Sequence, residues 1–84
     1  MDLTQTVVAI WIKVLENPHV SLTDNFFDLG GTSLLAVSLI GEIERTLRVE
    51  IPFVLLFECE TLEAFIGEIG RLTDPTLEIA YPSA

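Results

Sequence analysis

Few residues in this 84-residue chain have types and spacing that could do chemistry. Thr32 and Ser33 follow the paired glycines Gly30 and Gly31 in "DNFFDLGGTSLLAVSLI" and open a strongly apolar run. A hydroxyl there can be a helix cap, a nucleophile or a point of attachment. The nucleophile reading is poor. A hydrolase elbow needs G-x-S-x-G, and "GTSLL" lacks the second glycine. The one histidine, His19, lies in a long connecting segment with no evident partner to orient it as a base. Cys59 is the only cysteine, which excludes an intrachain disulfide and CxxC-type zinc spacing. It reads as a small core filler. Asp24 and Asp28 are too few and too local to make a metal site. The chain is expected to be a non-catalytic domain, with no catalytic residue and no metal.

Helical periodicity supplies the elements around that dipeptide. Leu3, Val7, Ile10, Trp11 and Val14, with Leu15 beside them, predict a helix over about 3 to 16. Asp2 stands at its cap, Gln5 at the capping-box position, and Asn17-Pro18 after its end. Residues 17 to 32 form a long connection whose Val20, Leu22, Phe26, Phe27 and Leu29 should pin it to the core, with a short helical turn near Asp24 to Asp28. A second helix, Ser33 to Leu47, turns Ala36, Leu39, Ile40, Ile43 and Leu47 inward. Leu34 and Val37 fall off that stripe, and Gly41 continues their line, so this end of the helix should meet something other than its own core. "IPFVLLF" suits a strand or a short helix. With no second strand candidate, a helix over about 53 to 58 is expected, with Pro52 near its first position. Thr61 caps a last helix with Glu63 in its first turn and Leu62, Phe65, Ile66 and Ile69 inward. The fold class is therefore all-α: a small bundle of three main helices and one short one over residues 1–72, with residues 73–84 as a tail or linker.

Charge narrows the partners. Four Lys and Arg oppose thirteen Asp and Glu, for a formal net charge of −9. Nucleic acid is excluded as a partner, because phosphate backbones would be repelled. The charge is uneven: residues 1–32 carry −3, residues 33–48 carry zero and residues 49–84 carry −6. The segment behind the glycines is thus the neutral part of an acidic molecule. The start does not resemble a signal peptide, and no apolar run is long enough to span a bilayer. The lone cysteine suits a reducing, cytoplasmic setting.

A cap accounts for one hydroxyl at a helix mouth. Free N–H groups at that mouth also favour a phosphate, and paired glycines permit close approach by a second protein. A serine there is well placed to carry a phosphodiester. At this point the residues resemble a known family. The stretch from Asp24 to Ile69 is similar to the thiolation, or carrier-protein, domains of nonribosomal peptide and polyketide assembly lines. "LGGTSLLA" (Leu29 to Ala36) resembles the peptidyl-carrier form of the phosphopantetheine attachment sequence, with "DNFFDLGG", "IP" and "LFE…TLEAF" in register around it. With the first helix included, the likeness covers residues 3 to 70.

The resemblance implies a four-helix, acyl-carrier-protein-like fold, with Ser33 bearing 4′-phosphopantetheine and Gly30, Gly31 and Thr32 forming the turn that presents it. The prosthetic thiol would hold aminoacyl, peptidyl or acyl groups as thioesters. Leu34, Val37, Ser38 and Gly41 match the face used for partner docking, with Val54 and Leu55 continuing it on the short helix. Implied partners are a phosphopantetheinyl transferase, an adenylation or acyl-loading enzyme, and condensation, ketosynthase, tailoring or thioesterase domains, acting on a monomer. Fatty-acid-type carriers usually have an acidic second helix, so the neutral one favours the peptidyl type over a polyketide-type acyl carrier. Val54, where the family often has a basic or polar residue, and Glu60, in place of a commoner proline, depart from the pattern. An unmodified helical interaction module, with Ser33 as a plain cap, is the rival from another class.

Overall fold

A computed structural model describes residues 2–73. Four helices make up its regular structure: α1 (Leu3–Leu15), α2 (Ser33–Leu47), α3 (Val54–Glu58) and α4 (Leu62–Thr73). The all-α expectation holds. The tail expected over 73–84 lies outside the described residues from 74 onward, and Thr73 is the last residue of α4.

Local chemistry sets the helix ends. Asp2 and Gln5 form the capping box of α1, with the Gln5 N–H donating to Asp2 Oδ1 at 2.8 Å. Helices α1 and α2 each end on a non-glycine residue in the left-handed region, Glu16 (φ 54°) and Arg48 (φ 59°). At the start of α4, the Ala64 N–H donates to Thr61 Oγ1 at 3.1 Å, as the cap reading requires. Pro52 stands two residues before α3, and its carbonyl accepts the Leu55 N–H at 3.0 Å.

Helix α1 packs on α2 and α4, and α3 packs on α4. The predicted stripes meet in one core: Val7, Ile10 and Trp11 from α1, Ala36, Leu39, Ile40 and Ile43 from α2, Leu56 from α3, and Leu62, Phe65, Ile66 and Ile69 from α4. Leu3, Val14, Leu15 and Leu47 lie half-buried around it. Phe26 from the long connection is buried among them, and its ring meets Trp11 edge-on at 5.2 Å. The Trp11 indole nitrogen is buried and has no hydrogen-bond partner among the described residues.

The connection over residues 17 to 32 is pinned by more than its apolar side chains. The first two N–H groups of α4, on Leu62 and Glu63, donate to the carbonyls of Asp24 (2.8 Å) and Leu22 (2.9 Å). Asn25 Nδ2 donates to the Glu60 carbonyl at 2.9 Å. The loop thus satisfies donors that a helix N-terminus leaves open, and the helix fixes the loop. Leu22 departs from the expectation: its backbone is bound while its side chain is exposed.

Candidate functional site

The segment before Ser33 is a miniature helix with both ends closed. Asn25 Oδ1 accepts the N–H groups of Phe27 (2.9 Å) and Asp28 (3.1 Å). The Leu29 N–H donates to the Asn25 carbonyl at 3.1 Å, completing one turn. This is the helical turn expected near Asp24 to Asp28, set slightly later. It ends in paired bonds from Gly31 N–H to Phe26 carbonyl (3.0 Å) and from Gly30 N–H to Phe27 carbonyl (3.1 Å). That pairing is a Schellman closure, which needs a left-handed residue at its penultimate position. Gly30 occupies it with φ +100°.

The second glycine answers a different demand. A Cβ on Gly31 would stand 2.4 Å from two Phe26 ring carbons and 2.7 Å from the Phe26 carbonyl oxygen. Close approach at Gly31 therefore comes from the protein's own buried aromatic ring. Around Gly30 nothing lies within 4 Å of such a Cβ.

Thr32 follows in an extended conformation, and its Oγ1 accepts the Leu35 N–H at 3.1 Å. The Ala36 N–H donates to the Thr32 carbonyl at 2.8 Å. Thr32, not Ser33, is thus the cap of α2. Ser33 is the first helical residue, exposed, with its hydroxyl unengaged among the described residues. The N–H groups of Ser33 and Leu34 are the two donors this cap leaves open at the positive end of the helix dipole. A free hydroxyl beside two free donors suits a phosphodiester.

Along α2 from that point, Leu34 is 77% exposed and Val37 57%, and Ser38 is exposed with them. Gly41 is half-buried, and a Cβ there would stand 3.4 Å from the Arg45 guanidinium. Below them lies a groove of about 500 Å³ bordered by Lys13, Val37, Ser38, Gly41, Glu42 and Arg45. Lys13 Nζ and Arg45 Nη2 both donate to the Glu42 carboxylate, at 2.9 and 3.0 Å. Those hydrogen bonds, reinforced by the positive charges of both partners, hold the Glu42 carboxyl below its ordinary value.

Helix α3 presents Val54 to solvent, together with Phe53 and Phe57, which the sequence reading did not single out. The i, i+4 spacing of the two phenylalanines, with Leu56 as the inward residue, is the signal that could have found them. Leu55 is half-buried and lines a cleft of about 520 Å³ with Glu58, Cys59, Glu60, Ala64 and Glu68. Burial pushes the Cys59 thiol above its ordinary value, and the charges of Glu68 and Glu58 add to the effect. His19 is exposed, and Asp24 Oδ2 accepts the Ser21 N–H at 2.8 Å. Among the described residues no group of three or more His, Cys, Asp or Glu could hold a metal ion.

Residues 5–69 match the family described as the phosphopantetheine attachment site. The chain belongs to this family. It is therefore a carrier domain, a non-catalytic unit whose members bear 4′-phosphopantetheine on a serine. It is 42% identical over 69 residues to indigoidine synthase of Dickeya dadantii, covering 82% of this chain and 5% of that protein. It is 40% identical over 68 residues to tyrocidine synthase 2 of Brevibacillus parabrevis, covering 81% of this chain and 2% of the relative. The chain thus spans a small fraction of the proteins it matches. BlmI, a type-II acyl-carrier protein from Streptomyces verticillus involved in bleomycin biosynthesis, superposes with a TM-score of 0.77 at 25% identity. That alignment covers 89% of this chain and 86% of BlmI. The four-helix, acyl-carrier-protein-like fold expected from the sequence is the fold observed. Carrier domains of synthetases work by meeting adenylation, condensation and related domains. No helix among the described residues is long and apolar enough to cross a membrane.

Proposed function

We propose that Ser33 is the serine that bears 4′-phosphopantetheine, and that the domain carries aminoacyl or peptidyl groups as thioesters in nonribosomal peptide or hybrid biosynthesis. One observation carries the assignment: Thr32 performs the capping, which leaves the Ser33 hydroxyl exposed and without another task. On this reading a phosphopantetheinyl transferase directs Ser33 Oγ at the pyrophosphate of coenzyme A. A phosphodiester forms, the serine proton is lost, and adenosine bisphosphate leaves. Ser33 and Leu34 N–H groups would hold the phosphate. When bound, the group supplies the thiol on which cargo is carried, and the protein supplies attachment and recognition.

Recognition is assigned to Leu34, Val37, Ser38 and Gly41 on α2, with Val54 and Leu55 on α3. The exposure of Leu34 and Val37 on the first two turns of α2, which carry no charged residue, supports apolar docking, and with it the peptidyl type over a polyketide-type acyl carrier. The partners would be an adenylation or acyl-loading enzyme, then condensation, ketosynthase, tailoring or thioesterase domains. The domain would act as a monomer in the cytoplasm. Incubation with coenzyme A and a broad-specificity transferase should add one phosphopantetheine by intact mass, and Ser33→Ala should abolish the gain. No gain in the wild-type protein with a transferase active on a control carrier would overturn the assignment, and leave an interaction module.

A further inference from the structure

All five phenylalanines and the one tryptophan form a single connected path of rings. Phe65 meets Trp11, Trp11 meets Phe26, Phe26 meets Phe27, Phe27 meets Phe57, and Phe57 meets Phe53. The path starts in the core and ends in water. Phe27 and Phe57 are stacked, 4.9 Å apart and 22° from parallel, and Phe53 leans on Phe57 at 5.3 Å. Phe57 is 49% exposed, with Phe53 and Val54 exposed beside it. This shelf lies on a molecule of net charge −9: Ile51 to Phe57 has no ionisable side chain, and the exposed Asp28 and Glu58 border the rings of Phe27 and Phe57.

The shelf adjoins the attachment turn. Phe27 belongs to the helical turn that Gly30 and Gly31 close, and Gly31 lies against the Phe26 ring that borders Phe27. Ser33 follows two residues later. Resting on the reading of Ser33 as the attachment point, we propose that the Phe27–Phe57–Phe53 shelf is a resting site for the domain's own tethered cargo, and that this cargo is aromatic. Two physical facts support that occupant. Aromatic rings favour offset stacking or edge-to-face contact with a further ring, which exposed ring surfaces offer and aliphatic ones do not. Cargo tethered a short distance away also meets the shelf at an effective concentration on the order of millimolar, so stacking too weak to hold a free ligand suffices. The contact shields the load between visits and releases readily to a partner.

The test loads the domain through a phosphopantetheinyl transferase with two coenzyme A analogues ending in stable amides, one phenylalanyl and one glycyl. Intact mass verifies each load, and backbone amide NMR reads the response. The phenylalanyl form should differ from the glycyl form at the amides of Phe27, Phe53, Val54 and Phe57. Phe57→Ala should reduce that difference to the glycyl baseline. Phe53→Ser, at the outermost ring, is the second variant should Phe57→Ala unfold, as read by Trp11 fluorescence. Equal spectra at these amides with both loads verified would overturn the shelf while leaving the attachment reading intact. So would a difference that survives both substitutions, or one confined to α2. Absence of any mass gain would instead overturn the attachment reading, and the shelf with it.

Discussion

Gly31→Ala is the sharpest test of how the turn before Ser33 is built. The added methyl would sit 2.4 Å from two Phe26 ring carbons and 2.7 Å from the carbonyl oxygen that the residue's own N–H binds. Comfortable carbon–carbon contact is about 3.5–4.0 Å, so the ring would have to retreat by roughly an ångström or more. It has nowhere to go, because Phe26 is 1% exposed and wedged between Trp11 at 5.2 Å and Phe27 at 5.4 Å. Retreat of the carbonyl would break the Schellman closure. Overpacking of this kind costs about 1–3 kcal/mol, and each kcal/mol moves the melting point of a domain this size by about 4–8 °C. Gly30→Ala should cost a similar amount for another reason, the strain of an L-residue at φ +100° in open space, about 1–3 kcal/mol. A double-mutant cycle in urea separates the two. Phe26→Leu should relieve Gly31→Ala with a coupling energy of about 0.5–3 kcal/mol, and should not relieve Gly30→Ala. Two results would refute the reasoning: Gly31→Ala within about 0.5 kcal/mol of wild type, a change typical of an unconstrained surface site, or equal relief of both glycine variants.

Other outcomes follow from the same geometry. Thr32→Ala should cost about 1 kcal/mol in urea unfolding while still accepting phosphopantetheine. Ser33→Ala should lose all loading and stay within about 0.5 kcal/mol of wild type, because its hydroxyl makes no bond in the fold. Leu34→Glu and Val37→Glu should keep the circular-dichroism spectrum and slow transferase-dependent loading, and loss of helical signal would place these side chains in the core instead. Glu42→Gln should be less stable than wild type at pH 7. The folded-state value of Glu42 is depressed, so the difference should hold down to its ordinary 4.5 and close as pH falls below it. Added salt should shrink the difference at pH 7, since both cations are exposed. Cys59 should react with iodoacetamide more slowly than a free thiol at neutral pH, its thiolate being disfavoured by burial and by Glu68 and Glu58.

What the chain discloses on its own depends on how local each cause is. Buried faces of α1, α2 and α4 are legible because a period of three and four needs only the helix itself, and Ala36, Leu39, Ile40 and Ile43 lie where that period puts them. The capping box of Asp2 and Gln5 is equally local. Thr32 against Ser33 is not decidable from the residues, since two adjacent hydroxyls are both good caps and only the backbone at 32 selects one. The need for a bare Gly31 is invisible because it comes from a ring five residues earlier that turns back over it. Bonds from Leu62 and Glu63 to the Asp24 and Leu22 carbonyls join backbone to backbone, so no side chain announces them. In α3 the helix is five residues long, barely more than one turn, and every residue from Phe53 to Phe57 is apolar. Such a run has no phase of its own, so the i, i+4 spacing of Phe53 and Phe57 gains meaning only once Leu56 is placed inward.

If Ser33 bears the arm, as proposed, the two glycines, the threonine and the serine divide one task. A swinging prosthetic arm is useful only if its root is fixed, because a mobile root would blur the surface that a partner must recognise. On the proposed assignment of Ser33, backbone hydrogen bonds on both sides of the serine are what fix that root. Asn25 closes the start of the preceding turn, Gly30 and Gly31 close its end, and Thr32 takes the Leu35 N–H. The N–H groups of Ser33 and Leu34 stay open at the mouth of α2. Phe26 then anchors this closed unit to Trp11, so the position of the serine is set by core packing and not by loop flexibility. A substitution deep in the ring path, such as Trp11→Leu, should on this argument broaden the amide signals of residues 30 to 34 before it unfolds the helices. If those signals stay sharp while global stability falls, the turn is self-sufficient and the aromatic path serves the core alone.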